Sequence, residues 1–237
     1  MIQDVAILCG GRGTRLQEHT ASIPKPLVEI GGEPIVWHVI HIYAAQGISN
    51  FLLCTGYKGE LIEEFVDSRG WPAGVEVHCL DTGLDTPTGG RIRQVGEHLG
   101  DRPFCATYAD GVADIDLAQL LRFHEGHGAL ATVTVVRPEL QFGIADLDGD
   151  GRIKGFREKP RSEHWVNGGF FCFEHGALGY VGPDSVLERE PLELLAGAGQ
   201  LRGYRHEGFW ECMDTYKDAV LLNDIWAAGR APWKVWD

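Results

Sequence analysis

The chain has 237 residues, 44% hydrophobic and 23% charged, a balance suited to one globular unit able to bury a sizeable core. Its formal net charge of −13 argues against a broad cationic face for nucleic acid or anionic membrane, so positive charge meant for a ligand must be concentrated locally. No apolar stretch approaches the roughly 18 to 20 residues of a membrane span, and the first apolar run, Val5 to Cys9, is too short for a secretory leader.

Taken in chain order, "DVAILC" (4–9) reads as a buried strand and runs into a glycine loop with clustered positive charge, Gly10-Gly11-Arg12-Gly13-Thr14-Arg15, followed by Pro24-Lys25-Pro26. Glycines let backbone amides approach phosphates closely, Arg15 supplies a fork for phosphate oxygens, and the prolines hold Lys25 in an extended segment. The loop fits neither familiar phosphate motif. Leu16 stands where a dinucleotide fingerprint needs its third glycine, and the G-x-x-x-x-G-K-[ST] pattern is absent. By itself the loop reads equally as a structural turn.

Helical segments at 34–47, 58–70, 89–100 and 116–128 alternate with strands at 50–55, 75–80, 104–109 and 130–136, all of which read as buried on both faces. This rhythm predicts an α/β fold with a mostly parallel central sheet, helices on both faces and ligands at the strand C-termini. After about residue 137 the pattern changes. "FGIADLDGDGRIKGFREKP" predicts a hairpin turning at Asp148 to Gly151, and its EF-hand likeness fails because Arg157 fills the position of the bidentate acid. "VNGGFFCFE" (166–174), two further helical segments, a stretch at 201–215 and a closing helix near 216–228 complete one unit spanning 1–237. The change of pattern near residue 137 divides this unit into two portions, 1–137 and 138–237.

The cysteines, Cys9, Cys54, Cys79, Cys105, Cys172 and Cys212, have no zinc or redox spacing and read as core thiols in a reducing cytoplasm. His38/His41 and His124/His127 lack the H-E-x-x-H register and read as core or surface histidines. Asp110 ends "FCATYA" and Asp214 follows "GFWECM", each at an apparent strand end on one sheet edge. Either is a cap or turn former, or the two together hold Mg²⁺ with substrate phosphates.

Across nearly its whole length the chain resembles the sugar-1-phosphate nucleotidyltransferases, and among them the glucose-1-phosphate cytidylyltransferases. The resemblance rests on "GGRGTRL" (10–16), "PKPLVEIGGEPIVWH" (24–38), "TGGR" (88–91), "YADGVADID" (108–116), "FREKP" (156–160), "NGGFF" (167–171), "GFWECMDT" (208–215) and "APWKVW" (231–236). Ala109 departs from the glycine usual before the metal-binding aspartate, and the stretch from Phe65 to Asp81 is shorter than is typical.

The resemblance implies a Rossmann-like nucleotide-diphospho-sugar transferase fold and a Mg²⁺-dependent reaction of CTP with α-D-glucose 1-phosphate, in a homo-oligomer that binds neither nucleic acid nor membrane. It implies Arg15 at the departing pyrophosphate, Lys25 at the α-phosphate, Lys159 at the sugar phosphate, and Asp110 with Asp214 as Mg²⁺ ligands. Leu8, Gly10, Gly11, Gly13, Thr14, Thr88, Gly89 and Arg91 are the further nucleotide residues, with Arg91 and the loop amides facing the pyrimidine. It also implies that Tyr108, Gly143, Glu158, Asn167 and Gly168 line the sugar side, with 1–137 the mainly nucleotide-binding portion and 138–237 the mainly sugar-phosphate-binding portion. Other readings stay open: UTP or dTTP as donor, another sugar phosphate or phosphonate as acceptor, or a non-catalytic nucleotide-sugar sensor.

Overall fold

The structure, a computed structural model, describes residues 2–13 and 23–236. Its strands in chain order are β1 (Asp4–Leu8), β2 (Glu29–Ile30), β3 (Glu33–Pro34), β4 (Asn50–Thr55), β5 (Glu76–Asp81), β6 (Phe104–Tyr108), β7 (Gly111–Ala113), β8 (Ala131–Val136), β9 (Ile144–Leu147), β10 (Ile153–Arg157), β11 (Val166–Phe173), β12 (Leu201–Arg205) and β13 (Trp210–Cys212). Helices are α1 (Ile35–Ala44), α2 (Gly59–Asp67), α3 (Thr88–Leu99), α4 (Leu117–His127), α5 (Glu190–Gly197) and α6 (Tyr216–Ala227).

A 7-stranded sheet in the order β12-β8-β11-β6-β1-β4-β5 forms the centre. β11 pairs antiparallel with both β6 and β8, while the other pairings are parallel, so it alone runs against the rest. β12 comes from the C-terminal third and closes one edge of the same sheet as β1.

Period-two alternation divides the core between the two faces. Val5 and Ile7 of β1, Phe51 and Leu53 of β4, and Phe170 and Cys172 of β11 join one cluster with Ile35 and Val39 of α1, Leu120 of α4 and Leu222 of α6. Ala6, Leu52, Phe171 and Phe173 point the other way, against Ile92 and Val95 of α3 and Leu195 of α5. Helix starts follow side-chain chemistry. Asp116 accepts from the Gln119 amide at 2.8 Å, and Thr215 with Asp218 forms a reciprocal capping box at α6.

The alternating strands and helices lie within a few residues of the predicted ranges. β5 corrects the expectation of strands buried on both faces: it is the sheet edge, and Glu76, His78 and Asp81 are exposed. The hairpin β9–β10 turns where expected. Asp148 Oδ1 accepts from the amides of Asp150 at 3.1 Å and Arg152 at 2.9 Å, so its carboxylate shapes the turn.

The C-terminal segment returns to α1. Trp233 is fully buried, and its indole donates at 3.3 Å to Nδ1 of the equally buried His38. The Ile30 carbonyl lies 2.8 Å from His38 Nε2 and can only accept, so Nε2 carries the proton and the ring is neutral. Burial among Trp226, Trp233 and Trp236 lowers the His38 pKa from 6.5 to about 4. The folded state therefore stays neutral where the unfolded chain takes up a proton. This contribution is complete above pH 6.5 and is lost progressively toward pH 4. It should remove about 2 kcal/mol of stability by pH 5. Urea unfolding at pH 8 and pH 5 should show a smaller acid loss in His38→Gln than in the wild type; equal losses would assign the pH dependence elsewhere.

Candidate active site

The C-terminal ends of β1 and β6 open into a cleft of about 520 Å³, bordered by the glycine loop, Lys25 and the start of α3. Leu8, Gly10, Gly11, Gly13, Lys25, Thr88, Arg91, Tyr108, Asp110 and Asp214 all line it. Thr14 and Arg15 lie outside the described residues. Ala109, buried at 4% exposure, lines the cleft beside Asp110.

Asp110 and Asp214 do not end strands of one sheet, as their sequence positions suggest. Asp110 lies between β6 and β7, whereas Asp214 follows β13, and β13 pairs with β7 in a separate 2-stranded ribbon. Cys212 faces Gly111 in that ribbon, and the Met213 amide donates to the Asp110 carbonyl at 2.9 Å. This register sets the two carboxylates side by side. Lys25 enters between them from a short 3-10 turn at Lys25–Leu27, held by Pro24 and the buried Pro26. Its ammonium donates to Asp110 Oδ2 at 2.5 Å and to Asp214 Oδ1 at 2.7 Å, with the side chain 14% exposed. Burial acts to lower its pKa, but the Asp110 charge and the hydrogen bonds to both carboxylates outweigh it and hold the pKa above the ordinary lysine value.

Arg91 lines the cleft, and its guanidinium is held by the protein's own acceptors. It is 4% exposed and donates to the Thr55 carbonyl at 2.6 Å, to the Thr82 hydroxyl, and to the Gly10 carbonyl at 3.3 Å. One guanidinium thus ties together the segments following β1, β4 and β5. A Cβ on Gly10 would lie 2.1 Å from its Nη1, so this glycine makes room for the arginine. Gly89, by contrast, does not line the cleft. Its amide and that of Gly90 donate to the Ser185 carbonyl at 3.0 and 3.3 Å, which closes the start of α3.

Of the residues expected to contact the sugar, Asn167 donates to the Tyr108 hydroxyl at 3.2 Å, and Tyr108 donates to Glu188, a residue that sequence reasoning missed. Thr88 donates to the other Glu188 oxygen at 2.7 Å, so this carboxylate links the start of α3 to the end of β6. Burial and then the Glu188 charge push the Tyr108 phenol up, which keeps it a proton donor. Gly168 accepts from the Trp210 indole at 2.7 Å, and a Cβ there would crowd Val136 at 2.9 Å. Gly143 packs beneath Phe156 and beside Glu158. Lys159 and Glu158 are exposed and lie outside the cleft lining. The Lys159 backbone has φ +42°, a left-handed conformation that costs a non-glycine residue about 1 kcal/mol or more and that often marks a functional position.

Two residues named in the sequence take partners that it did not reveal. Arg12 of the glycine loop pairs with Asp85 at 3.0 Å at the cleft, and Cys212, expected to be a core thiol, lies beside the aspartates. The latter brings three potential metal-binding atoms, from Asp110, Cys212 and Asp214, within 4.8 Å of one another. Burial, then the charges of Asp110 and Asp214, raise the Cys212 pKa and keep the thiol protonated. The two carboxylates are thus the donors that suit a hard, oxygen-seeking ion such as Mg²⁺.

Residues 5–198 match the nucleotidyl transferase family. The chain belongs to this family. It is 43% identical over 251 residues to a probable glucose-1-phosphate cytidylyltransferase of Bacillus subtilis strain 168, covering 97% of this chain and 98% of that one. Identity to the glucose-1-phosphate cytidylyltransferase of Salmonella typhi is 41% over 254 residues, covering 98% of each. The solved structure of HddC from Yersinia pseudotuberculosis superposes with a TM-score of 0.73 at 20% identity, covering 95% of this chain and all 100% of that one, and shares the fold.

In this nucleotidyl transferase, the geometry assigns Arg91 a structural job. Arg91→Met should lose about 2–4 kcal/mol of stability, because it removes three charge-assisted hydrogen bonds that brace these segments, while the Thr55 and Gly10 carbonyls keep only the Thr82 and Tyr57 donors. Arg91→Lys should recover only part, since an ammonium cannot span the same three acceptors. Urea unfolding checks both; unchanged stability with lost nucleotide discrimination would make Arg91 a base reader instead.

Proposed function

We propose that the protein transfers the cytidylyl group of CTP to α-D-glucose 1-phosphate, forming CDP-glucose and pyrophosphate. The observation that carries this is the 43% and 41% identity, over nearly full lengths, to proteins named for that activity. The chemistry of the cleft agrees with it. A phosphate with a second pKa of about 6 is already a dianionic nucleophile at neutral pH, so the reaction needs no general base. One of its oxygens attacks the α-phosphorus of CTP, and the bond to the pyrophosphate oxygen breaks. What remains to the protein is alignment and charge neutralisation.

In this reading Lys25 turns from the aspartates toward the α-phosphate, and Arg15 takes the departing pyrophosphate. Asp110 and Asp214 would hold Mg²⁺, which when bound neutralises phosphate charge. Gly11 faces open space in the cleft, which supports a close approach of the nucleotide to its backbone. Tyr108 and Asn167, joined by a hydrogen bond, offer polar groups to sugar hydroxyls. Exposed apolar side chains just before and on the hairpin, Phe142 at 80% and Phe156 at 62%, support a homo-oligomer. All six cysteines are free, which supports a reducing cytoplasm.

Pyrophosphate release measured with CTP, UTP, dTTP and GTP against several sugar 1-phosphates should favour CTP with glucose 1-phosphate. Equal use of UTP would overturn the cytidylyl assignment, and binding without turnover would favour a sensor. Lys159→Ala should raise the KM for glucose 1-phosphate by one to two decades, the worth of roughly 1.5–3 kcal/mol for a charge-assisted contact, and leave the KM for CTP nearly unchanged. Equal losses for both substrates would leave Lys159 a structural role.

A further inference from the structure

The carboxylates that would hold a metal already share a cation. Lys25 Nζ lies 2.5 Å from Asp110 Oδ2 and 2.7 Å from Asp214 Oδ1. A Mg²⁺ ion on those oxygens would sit about 2.0–2.1 Å from each. Ammonium and ion would therefore occupy overlapping space, and they repel each other besides. Lys25 is held there by hydrogen bonds to both carboxylates, with its side chain only 14% exposed. Its backbone is fixed by hydrogen bonds from the Leu27 amide to the Pro24 carbonyl at 2.9 Å and from the Val28 amide to the Lys25 carbonyl at 3.1 Å.

We propose that Lys25 acts as a resident cation that keeps divalent metal out of the Asp110–Asp214 pair until a nucleotide triphosphate gives the ammonium another anion to bind. The inference rests on the proposed metal role of these aspartates, and it concerns the free protein. Without nucleotide, the metal must displace a hydrogen-bonded ammonium and offers the lysine nothing in return. Once the triphosphate arrives, its oxygens accept Lys25 and also complete the coordination of an ion that two carboxylates hold poorly alone. The lysine's flexible four-carbon stem permits the swing from a fixed backbone. Metal and nucleotide then strengthen each other's binding by the same factor, as linkage requires. Delayed entry also means that the ion arrives with the phosphates it must neutralise.

The test uses Mn²⁺ as the probe on the full chain, with free ion counted by electron paramagnetic resonance. The wild type without nucleotide should bind Mn²⁺ weakly, and Lys25→Met should bind it roughly ten- to hundred-fold more tightly, the worth of the lost charge-assisted contacts. Lys25→Arg, which keeps the charge, should stay weak. Thermal melts give a second readout: Mn²⁺ should raise the Tm of Lys25→Met more than that of the wild type, since the ion replaces the missing cation. Adding Asp110→Asn to Lys25→Met should abolish the gain. Micromolar binding to the free wild type, or no tightening in Lys25→Met, would overturn the proposal. If the tightened site survives Asp110→Asn, the metal assignment itself falls. The CTP and glucose 1-phosphate assay on the wild type reads the proposed reaction independently of either result.

Discussion

The pairing of β7 with β13 is the contact on which the site depends. Asp110 follows a strand in the middle of the main sheet, and Asp214 lies in a segment that never enters that sheet. Only the short ribbon, in the register Cys212 to Gly111, carries the second carboxylate to the first. Its position is held from behind by the capping box at α6. The Asp214 and Thr215 amides both donate to Asp218, which fixes the turn just beyond Cys212. A helix cap and a short antiparallel pair thus do work that the large parallel sheet leaves undone.

Charge in the cleft is organised by ion pairs. In a chain of net charge −13, Lys25 meets Asp110 and Asp214, and Arg12 meets Asp85. These pairs differ in kind. Arg12 and Asp85 are largely exposed, so water and salt screen their attraction. Lys25 is mostly buried and holds its proton more firmly than an exposed lysine. An incoming polyphosphate competes with carboxylates for the same ammonium, and in the proposed reaction that competition couples substrate arrival to assembly of the site.

Arg91 shows how one buried side chain can shape the wall of a cleft that it also lines. Its fork bonds the backbone at Gly10 and Thr55 and the Thr82 side chain, so the loop after β1 is braced against the ends of β4 and β5. Gly10 belongs to the same arrangement, because a side chain there would collide with the guanidinium. Glu188 plays a comparable connecting part between Thr88 and Tyr108.

The sequence by itself determined the alternation of strands and helices, because apolar residues at period two and at helical spacing report burial directly, whatever they pack against. It also singled out the glycine loop, Lys25 and the two aspartates, since charged residues beside apolar strand ends are conspicuous in one dimension. Tertiary structure decided the rest. That Asp214 reaches Asp110 through a separate ribbon, that Gly89 spends its amide on Ser185, and that Cys212 stands beside the carboxylates all depend on strand pairing and loop packing between distant segments. Arg91 is the sharpest case. Its position in "TGGR" suggests a ligand contact, but the carbonyls that claim its guanidinium lie 36 and 81 residues away, and no local pattern encodes such partners.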